Sequence, residues 1–237
     1  MKVDAKTSNP NFSALLGNPT LPLLLDANIL IPPDRSTLSS RFRPVSYAEY
    51  LAHWLEPLAL HFPGLCVHEA VRDEICKKEE KDALDRLILK HSITLVSDSS
   101  LSKHERIIRN TIEHKIIHTG LVEFVPGYHS SKDKGEVKTL SYAATKGIHL
   151  FSSRDTMATH LVTRAKELDS GLEAIGMVYC YELLYALRKE AETNVDFLRK
   201  LYRDLYYFTN NEKLQNPEWG VFLPAMDLLY VGKHKAE

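Results

Sequence analysis

Leu21-Pro22-Leu23-Leu24-Leu25-Asp26-Ala27-Asn28-Ile29-Leu30 is an apolar run interrupted by one acid. Pro19 and Pro22 bracket it on one side and Pro32-Pro33 on the other. That leaves too little room for a long helix and suits a buried strand of a parallel sheet. Asp26 then falls at the carboxyl end of the strand, on the rim where open α/β sheets bind ligands. A carboxylate there is costly unless something positive meets it, and a metal ion is the obvious candidate.

Outward from this strand, short apolar runs alternate with helical patterns. Further strands are expected at Leu65–Val67, Ile93–Val96, Ile148–Phe151 and Ile175–Tyr179. Between them, helical spacing covers Tyr47–His61, with Pro57 placed to kink or split it, and His68–Leu89 in one or two pieces. Ser102–Ile117 follows, with Ile107, Ile108, Ile112 and Ile116 near one face. Then come Glu136–Lys146, stopped by Gly147, and Thr156–Leu168 and Tyr181–Glu192. This alternation predicts an α/β fold whose mostly parallel central sheet is flanked by helices.

Residues 1–19 read as a flexible arm, 20–192 as the main domain and 193–237 as an extension packed on it. Residues 34–45, with Arg35, Arg41 and Arg43, and 128–134 read as polar loops. In the extension, Phe197, Leu198, Leu201, Leu205 and Phe208 make one amphipathic helix that carries Tyr202, Tyr206 and Tyr207. Thr209-Asn210-Asn211 is expected to end it, and Pro217 to Val231 to be an irregular apolar tail.

The chain has 237 residues, enough for an ordinary core, with 30 basic and 31 acidic side chains. The near balance gives no whole-chain case for nucleic acid or membrane, so any nucleic-acid contact must rest on a local patch. Cys66, Cys76 and Cys180 are odd in number and widely spaced. They argue against a disulfide framework and for a reducing compartment. No apolar run approaches the roughly 20 residues that span a bilayer, and the polar start lacks a signal-peptide pattern. A cytoplasmic protein is expected.

Four places put acids beside strand ends or helix starts: Asp26; Glu74, one turn beyond Ala70; Asp133 and Glu136, in Asp133-Lys134-Gly135-Glu136; and Asp155, just after Ile148–Phe151. In a parallel α/β sheet these positions share one edge, so the acids can converge. Close carboxylates repel and need protons or a cation. Hard oxygen ligands select Mg²⁺ or Mn²⁺ over zinc, and such ions support displacement at a phosphodiester. Each acid also has a plain structural use. Asp26 and Asp155 suit helix N-caps, Glu74 a solvated face beside Arg72 and Lys77, and Asp133 with Glu136 a capping box. Those uses do not predict a common edge.

In this order the motifs resemble the PIN-domain family, the ribonuclease fold of many bacterial toxins and RNA-processing endonucleases. The matching residues are Leu25-Asp26-Ala27-Asn28, then Glu74-Ile75, then Asp133 to Glu136 with Ala143-Ala144 and Gly147, and last Ser153-Arg154-Asp155. The resemblance covers about residues 20–192. It implies a three-layer α/β/α sandwich and an endonuclease leaving a 5′-phosphate and a 3′-hydroxyl. It also implies Mg²⁺ or Mn²⁺ held by Asp26, Glu74, Glu136 and Asp155, with Asp133 assisting. Glu136 fits the third position better than Asp133. The extra material near 34–62 and after 192 departs from the compact toxins.

Asn28 is expected to orient Asp26, and Ser153 to hydrogen-bond a ligand or water. His129, Lys132, Lys134 and Arg154 flank the acids as candidate phosphate contacts for an RNA substrate. The tyrosine cluster can stack bases, pack the core or pack a homodimer. A toxin role would bring an antitoxin or other regulatory protein partner, which follows from the family alone. His68-Glu69 opens like a zinc-protease motif, but Arg72 stands where its second His belongs. Two rivals stay open. One is a PIN-like interaction module without activity. The other is a haloacid-dehalogenase-type phosphatase, which wants a second Asp where Asn28 stands.

Overall fold

The computed structural model describes residues 2–40, 42–127, 132–188, 190 and 193–231. The opening run forms β1 (Leu23–Leu25). It is joined by β2 (Leu65–His68), β3 (Thr94–Val96), β4 (Leu150–Ser152) and β5 (Gly176–Met177). All pair in parallel, in the order β3-β2-β1-β4-β5. β1 is central because it is buried on both faces, and successive side chains of a strand point to opposite faces. Leu23 and Leu25 join Leu65, Val67 and Leu150 in one core. Leu24, Cys66, Phe151 and Met177 enter a second core on the other face.

Helices cover both faces, giving three layers. Over the Leu24 face lie α7 (Lys103–His118), α8 (Lys134–Lys146) and α9 (Thr156–Thr163), through Ile116, Val137, Leu140 and Leu161. The Leu23 face is covered by α1 (Pro10–Gly17), α3 (Tyr47–Tyr50), α4 (Glu56–His61) and α6 (Lys78–Leu89). With them pack α11 (Cys180–Leu187), α12 (Val195–Tyr206) and α14 (Trp219–Tyr230). Short helices α2 (Ala27–Leu30), α5 (Glu69–Glu74), α10 (Ala165–Leu168) and α13 (Asn210–Gln215) complete the order. None of the described helices is long and apolar enough to cross a membrane.

Several expectations change. The N-terminal segment is not a loose arm: Asn9 caps α1, and Phe12 and Leu15 are fully buried. Asn216 also holds the segment by accepting from the Val3 amide at 2.8 Å. The expected 47–61 helix is split as Pro57 suggested, with a π-helical stretch at Leu51–Leu55 before α4. Proline cannot donate to the preceding turn, and the ladder widens there. Ile107 and Ile108 face outward rather than inward: α7 turns Glu113 and Ile116 to the core instead. Thr209 does not merely end a helix but caps the next, α13, through a capping box with Glu212. The tail expected to be irregular is α14, with Pro224 on its exposed side. Its apolar residues Trp219, Phe222, Met226 and Tyr230 recur at three- and four-residue steps.

Candidate functional site

The sheet order reverses between β1 and β4, and that switch point is where crevices form at the strand ends. Leu25 pairs with Ser152, so the next residues, Asp26 and Ser153, leave the rim side by side. The Asp26 amide donates to the Ser152 carbonyl at 3.0 Å. Asp26 then caps α2, accepting from the Ala27 amide at 2.7 Å. Its other oxygen takes the Ser153 hydroxyl at 2.7 Å and the Asn28 amide. Asn28 also donates to Ser153 Oγ at 3.0 Å and accepts from the Arg154 amide at 2.8 Å. Ser153 Oγ accepts the Asp155 amide at 2.9 Å. This closed ring fixes Asp26, which is only 1% exposed.

The other acids come from three further elements. Glu74 ends α5, and its Oε1 accepts the Gly135 amide at 2.6 Å. A Cβ on Gly135 would stand 2.3 Å from Glu74 Oε2, so only glycine admits this approach. Glu136 follows on the first turn of α8. Asp155 caps α9, its Oδ1 taking the amides of Met157 at 2.6 Å and Ala158 at 3.1 Å.

Burial, then the negative charges of Glu74 and Asp155, push the Asp26 carboxyl up to about 6 against its hydrogen bonds. Burial and the charge of Glu136 push Glu74 up to about 7, with the Gly135 amide and Lys134 opposing. Burial and the charges of Asp26, Asp155 and Asp133 push Glu136 up to about 7. These mutual effects show that Asp26, Glu74, Glu136 and Asp155 share one patch of field. Among the described residues, no three of them bring ligand oxygens within 4.8 Å of one another. They form an open acidic basin rather than a closed cage. As a donor set the four suit a hard divalent cation: all the candidate ligand atoms are oxygens, and positive charge would offset the burial and mutual repulsion that push Asp26, Glu74 and Glu136 up.

The flanking residues divide. Asp133 does not cap α8: it sits at φ 58° with no side-chain cap bond, and its carboxylate accepts the Glu123 amide at 2.8 Å. The Asp133–Glu136 capping box is therefore absent. Lys132 is ion-paired to Glu123 at 2.6 Å. Arg154 donates to the Ile31 carbonyl at 3.2 Å, while its Nε is buried without a partner. With Asn28, Arg35 and Asp155 it lines a cavity of ≈ 450 Å³ reaching Leu205 and Glu212. His129 lies outside the described residues. Tyr202 and Tyr206 are buried, so most of the tyrosine cluster is core.

Sequence reasoning missed a second group on the same rim. His68, Glu69 and Asp98 bring ligand atoms within 4.8 Å of one another and could hold a metal ion. His68 ends β2, Glu69 opens α5, and Asp98 follows β3 by two residues. An acid just past a strand end was the signal that could have found Asp98, as it found Asp26 and Asp155. Two features weigh against a metal here. The His68 Nδ1 accepts the Ala70 amide at 3.2 Å, so a neutral ring carries its proton on Nε2, the nitrogen a metal would need. Arg109 already meets Asp98 at 2.8 Å. The His68 Nε2 to Asp98 Oδ1 separation of 3.5 Å is an electrostatic contact rather than a formed hydrogen bond. Against the cost of burial, His68 and Arg109 hold Asp98 below the usual carboxylate range.

Comparison with known proteins finds no family model, no curated protein and no solved structure that matches this chain.

Proposed function

We propose that the protein is a Mg²⁺- or Mn²⁺-dependent endoribonuclease of the PIN type, with Asp26, Glu74, Glu136 and Asp155 as its metal-holding acids. One observation carries the reading: acids from four separate elements gather at the switch point of a parallel sheet, each raising another's affinity for protons or holding its neighbour's field. When bound, the divalent ion supplies Lewis acidity toward a phosphoryl oxygen and lowers the pKa of water.

The chain's own residues prepare that chemistry. Asn28 and Ser153 fix the Asp26 rotamer, and the Gly135 amide fixes Glu74. Both amides that hold Asp155 go to its Oδ1, so Oδ2 takes no part in the cap. Lys134, beside Glu74, and Arg154, lining the cavity with Asp155, are the candidate phosphate contacts, and Asp133 tunes Glu136 through its charge. The three free cysteines fit a reducing, cytoplasmic setting. A toxin role with an antitoxin partner, RNA maturation, and a homodimeric state are extensions of the same reading.

Purified protein incubated with labelled RNA should cleave it with Mn²⁺ and not in EDTA. Cleavage that persists in EDTA, or survives Asp26→Asn with Asp155→Asn, refutes the reading. The interaction-module rival has one observation in its favour: Asp26 and Asp155 both serve as real helix caps. Calorimetry showing no ion bound at millimolar Mn²⁺ would favour it. The phosphatase rival is weaker, because Asn28 spends its amide on Asp26 and Ser153.

A further inference from the structure

An acidic rim repels RNA, and of its nearest cations Lys132 is paired with Glu123 and Arg154 is turned to the Ile31 carbonyl, which leaves chiefly Lys134. One lysine is little against four acids, so further affinity for a polyanion must come from elsewhere on the chain. The C-terminal extension carries the feature that supplies it. α12, α13 and the start of α14 enclose a cavity of ≈ 670 Å³. Arg199, Lys200, Arg203 and Lys213 line it against only Asp196 and Glu218, in a chain whose net charge is −1. Arg203 is held by Asp204 at 2.9 Å. Arg199, Lys200 and Lys213 make no ion pair among the described residues.

The same cavity is walled by rings. Tyr202, buried on Phe222 at 4.7 Å and against Trp219 at 5.2 Å, forms its floor, and Tyr207 and Phe208 are its partly exposed rings. Tyr207 and Trp219 line the cavity, and the Lys213 ammonium lies 6.0 Å from the Tyr207 ring centroid. Surplus positive charge beside ring surfaces matches a ligand that carries both phosphates and flat bases. The α12–α13 corner joins this cavity to the rim. Leu205 and Glu212 line the cavity that reaches Asp155, while Tyr207 and Lys213 line the cationic one.

We propose that the cationic cavity is a docking site for single-stranded RNA, taking a stretch of the strand whose scissile bond lies at the acidic rim. The proposal rests on the endoribonuclease reading. Duplex RNA is excluded because its bases are already stacked and cannot reach the rings.

The test uses the whole protein in EDTA with a fluorescein-labelled single-stranded RNA of about twelve nucleotides, read by anisotropy and by quenching of Trp219. Trp54, the second tryptophan, is fully buried and serves as the constant background. Arg199→Glu with Lys213→Glu changes two exposed side chains and leaves the fold alone. It should weaken binding roughly tenfold or more and reduce the salt slope by about 1.4, the loss of two phosphate contacts. Tyr207→Ala should weaken binding roughly fivefold with the salt slope unchanged.

Unchanged affinity in both variants overturns the proposal. So does AMP binding as tightly as the oligonucleotide, which would make this a free-nucleotide site. Displacement of the RNA by an acidic peptide, with Tyr207→Ala silent, overturns it in favour of a protein segment. The two readings fail separately. A protein without divalent-dependent cleavage that loses RNA binding on charge reversal keeps the docking site and loses the nuclease. Intact cleavage with binding untouched by either variant loses only the docking site.

Discussion

Raising the pH from about 5 to about 8 should destabilise the metal-free protein, and Mg²⁺ should restore much of the loss. The sign follows from the raised carboxyls. Asp26 titrates near 6 in the fold, Glu74 and Glu136 near 7, all above their ordinary values of 3.8 and 4.5. The fold therefore binds protons that the unfolded chain has released. This contribution is complete below the unfolded values and is lost as pH rises through the folded ones. Between pH 5 and 8, Asp26 loses about one unit, or ~1.4 kcal/mol, and each glutamate about two units. The glutamates are partly exposed, so solvent screening halves their share to ~1.4 kcal/mol each. Glu74 acts on Asp26, Asp26 on Glu136 and Glu136 on Glu74, so their shifts are partly counted twice, which leaves roughly 2–3 kcal/mol.

Glu182 adds a loss of the same sign. It is 1% exposed, and burial pushes it up to about 8 against hydrogen bonds from Tyr179, Asn9 and Tyr230. It opens α11 just past β5, and the charge that acts on it is Asp4 rather than any of the four acids, so a cation among them should not relieve it, and Glu182→Gln removes its slope. Carboxyls held low, such as Glu105 at about 2, titrate below the window and contribute nothing to the change. The assay is urea unfolding followed by tryptophan fluorescence in the Glu182→Gln background, at both pH values, with EDTA or Mg²⁺. The expected fall in EDTA corresponds to roughly 4–12 °C in Tm. Stability equal at the two pH values in EDTA, or a fall that Mg²⁺ leaves unchanged, refutes the reasoning.

Ser153→Ala opens the ring around Asp26, leaving the Asp155 amide unpaired and Asp26 one donor short. It should cost about 1–3 kcal/mol by urea unfolding and weaken calorimetric Mn²⁺ binding. Gly135→Ala sets a methyl 2.3 Å from Glu74 Oε2 and drives that carboxylate out. Mn²⁺-dependent cleavage should fall while the Tm drops by only a few degrees, and retained cleavage would remove Glu74 from the site. Asn216→Ala unpairs the Val3 amide and the Tyr206 carbonyl, so about 2–4 kcal/mol should be lost, with earlier proteolysis before α1.

The sheet and the first acid were legible because burial on both faces leaves an unmistakable apolar run. Leu23, Leu24 and Leu25 had to be apolar for two different cores, and Asp26 had to mark the place where burial by side chains stops. The N-terminal helix was illegible for the opposite reason. Its sequence, Pro10-Asn11-Phe12-Ser13-Ala14-Leu15-Leu16-Gly17, holds two buried residues, and Phe12 is packed by Tyr185 of α11 and Tyr230 of α14, both more than 170 residues away. α14 looked irregular because Pro224 and Asp227 interrupt an apolar stretch. The ring contacts of Phe222 and Tyr230, not local propensity, decide its conformation.

The same distinction explains the two acid groups on one rim. Asp26, Glu74, Glu136 and Asp155 each follow a strand or sit on a helix turn whose period exposes the placement. The strand before Asp98 was expected at Ile93–Val96, but it is an edge strand with two of its three residues exposed, so it did not mark a buried rim as β1 did. The groups then differ in what answers their charge. Arg109 and His68 already compensate Asp98. The four rim acids have mostly one another, with Lys134 reaching only Glu74. Negative charge answered within the chain holds a fold together. Negative charge left unanswered, on a scaffold as fixed as the Asp26–Asn28–Ser153 ring, is what a divalent ion can use.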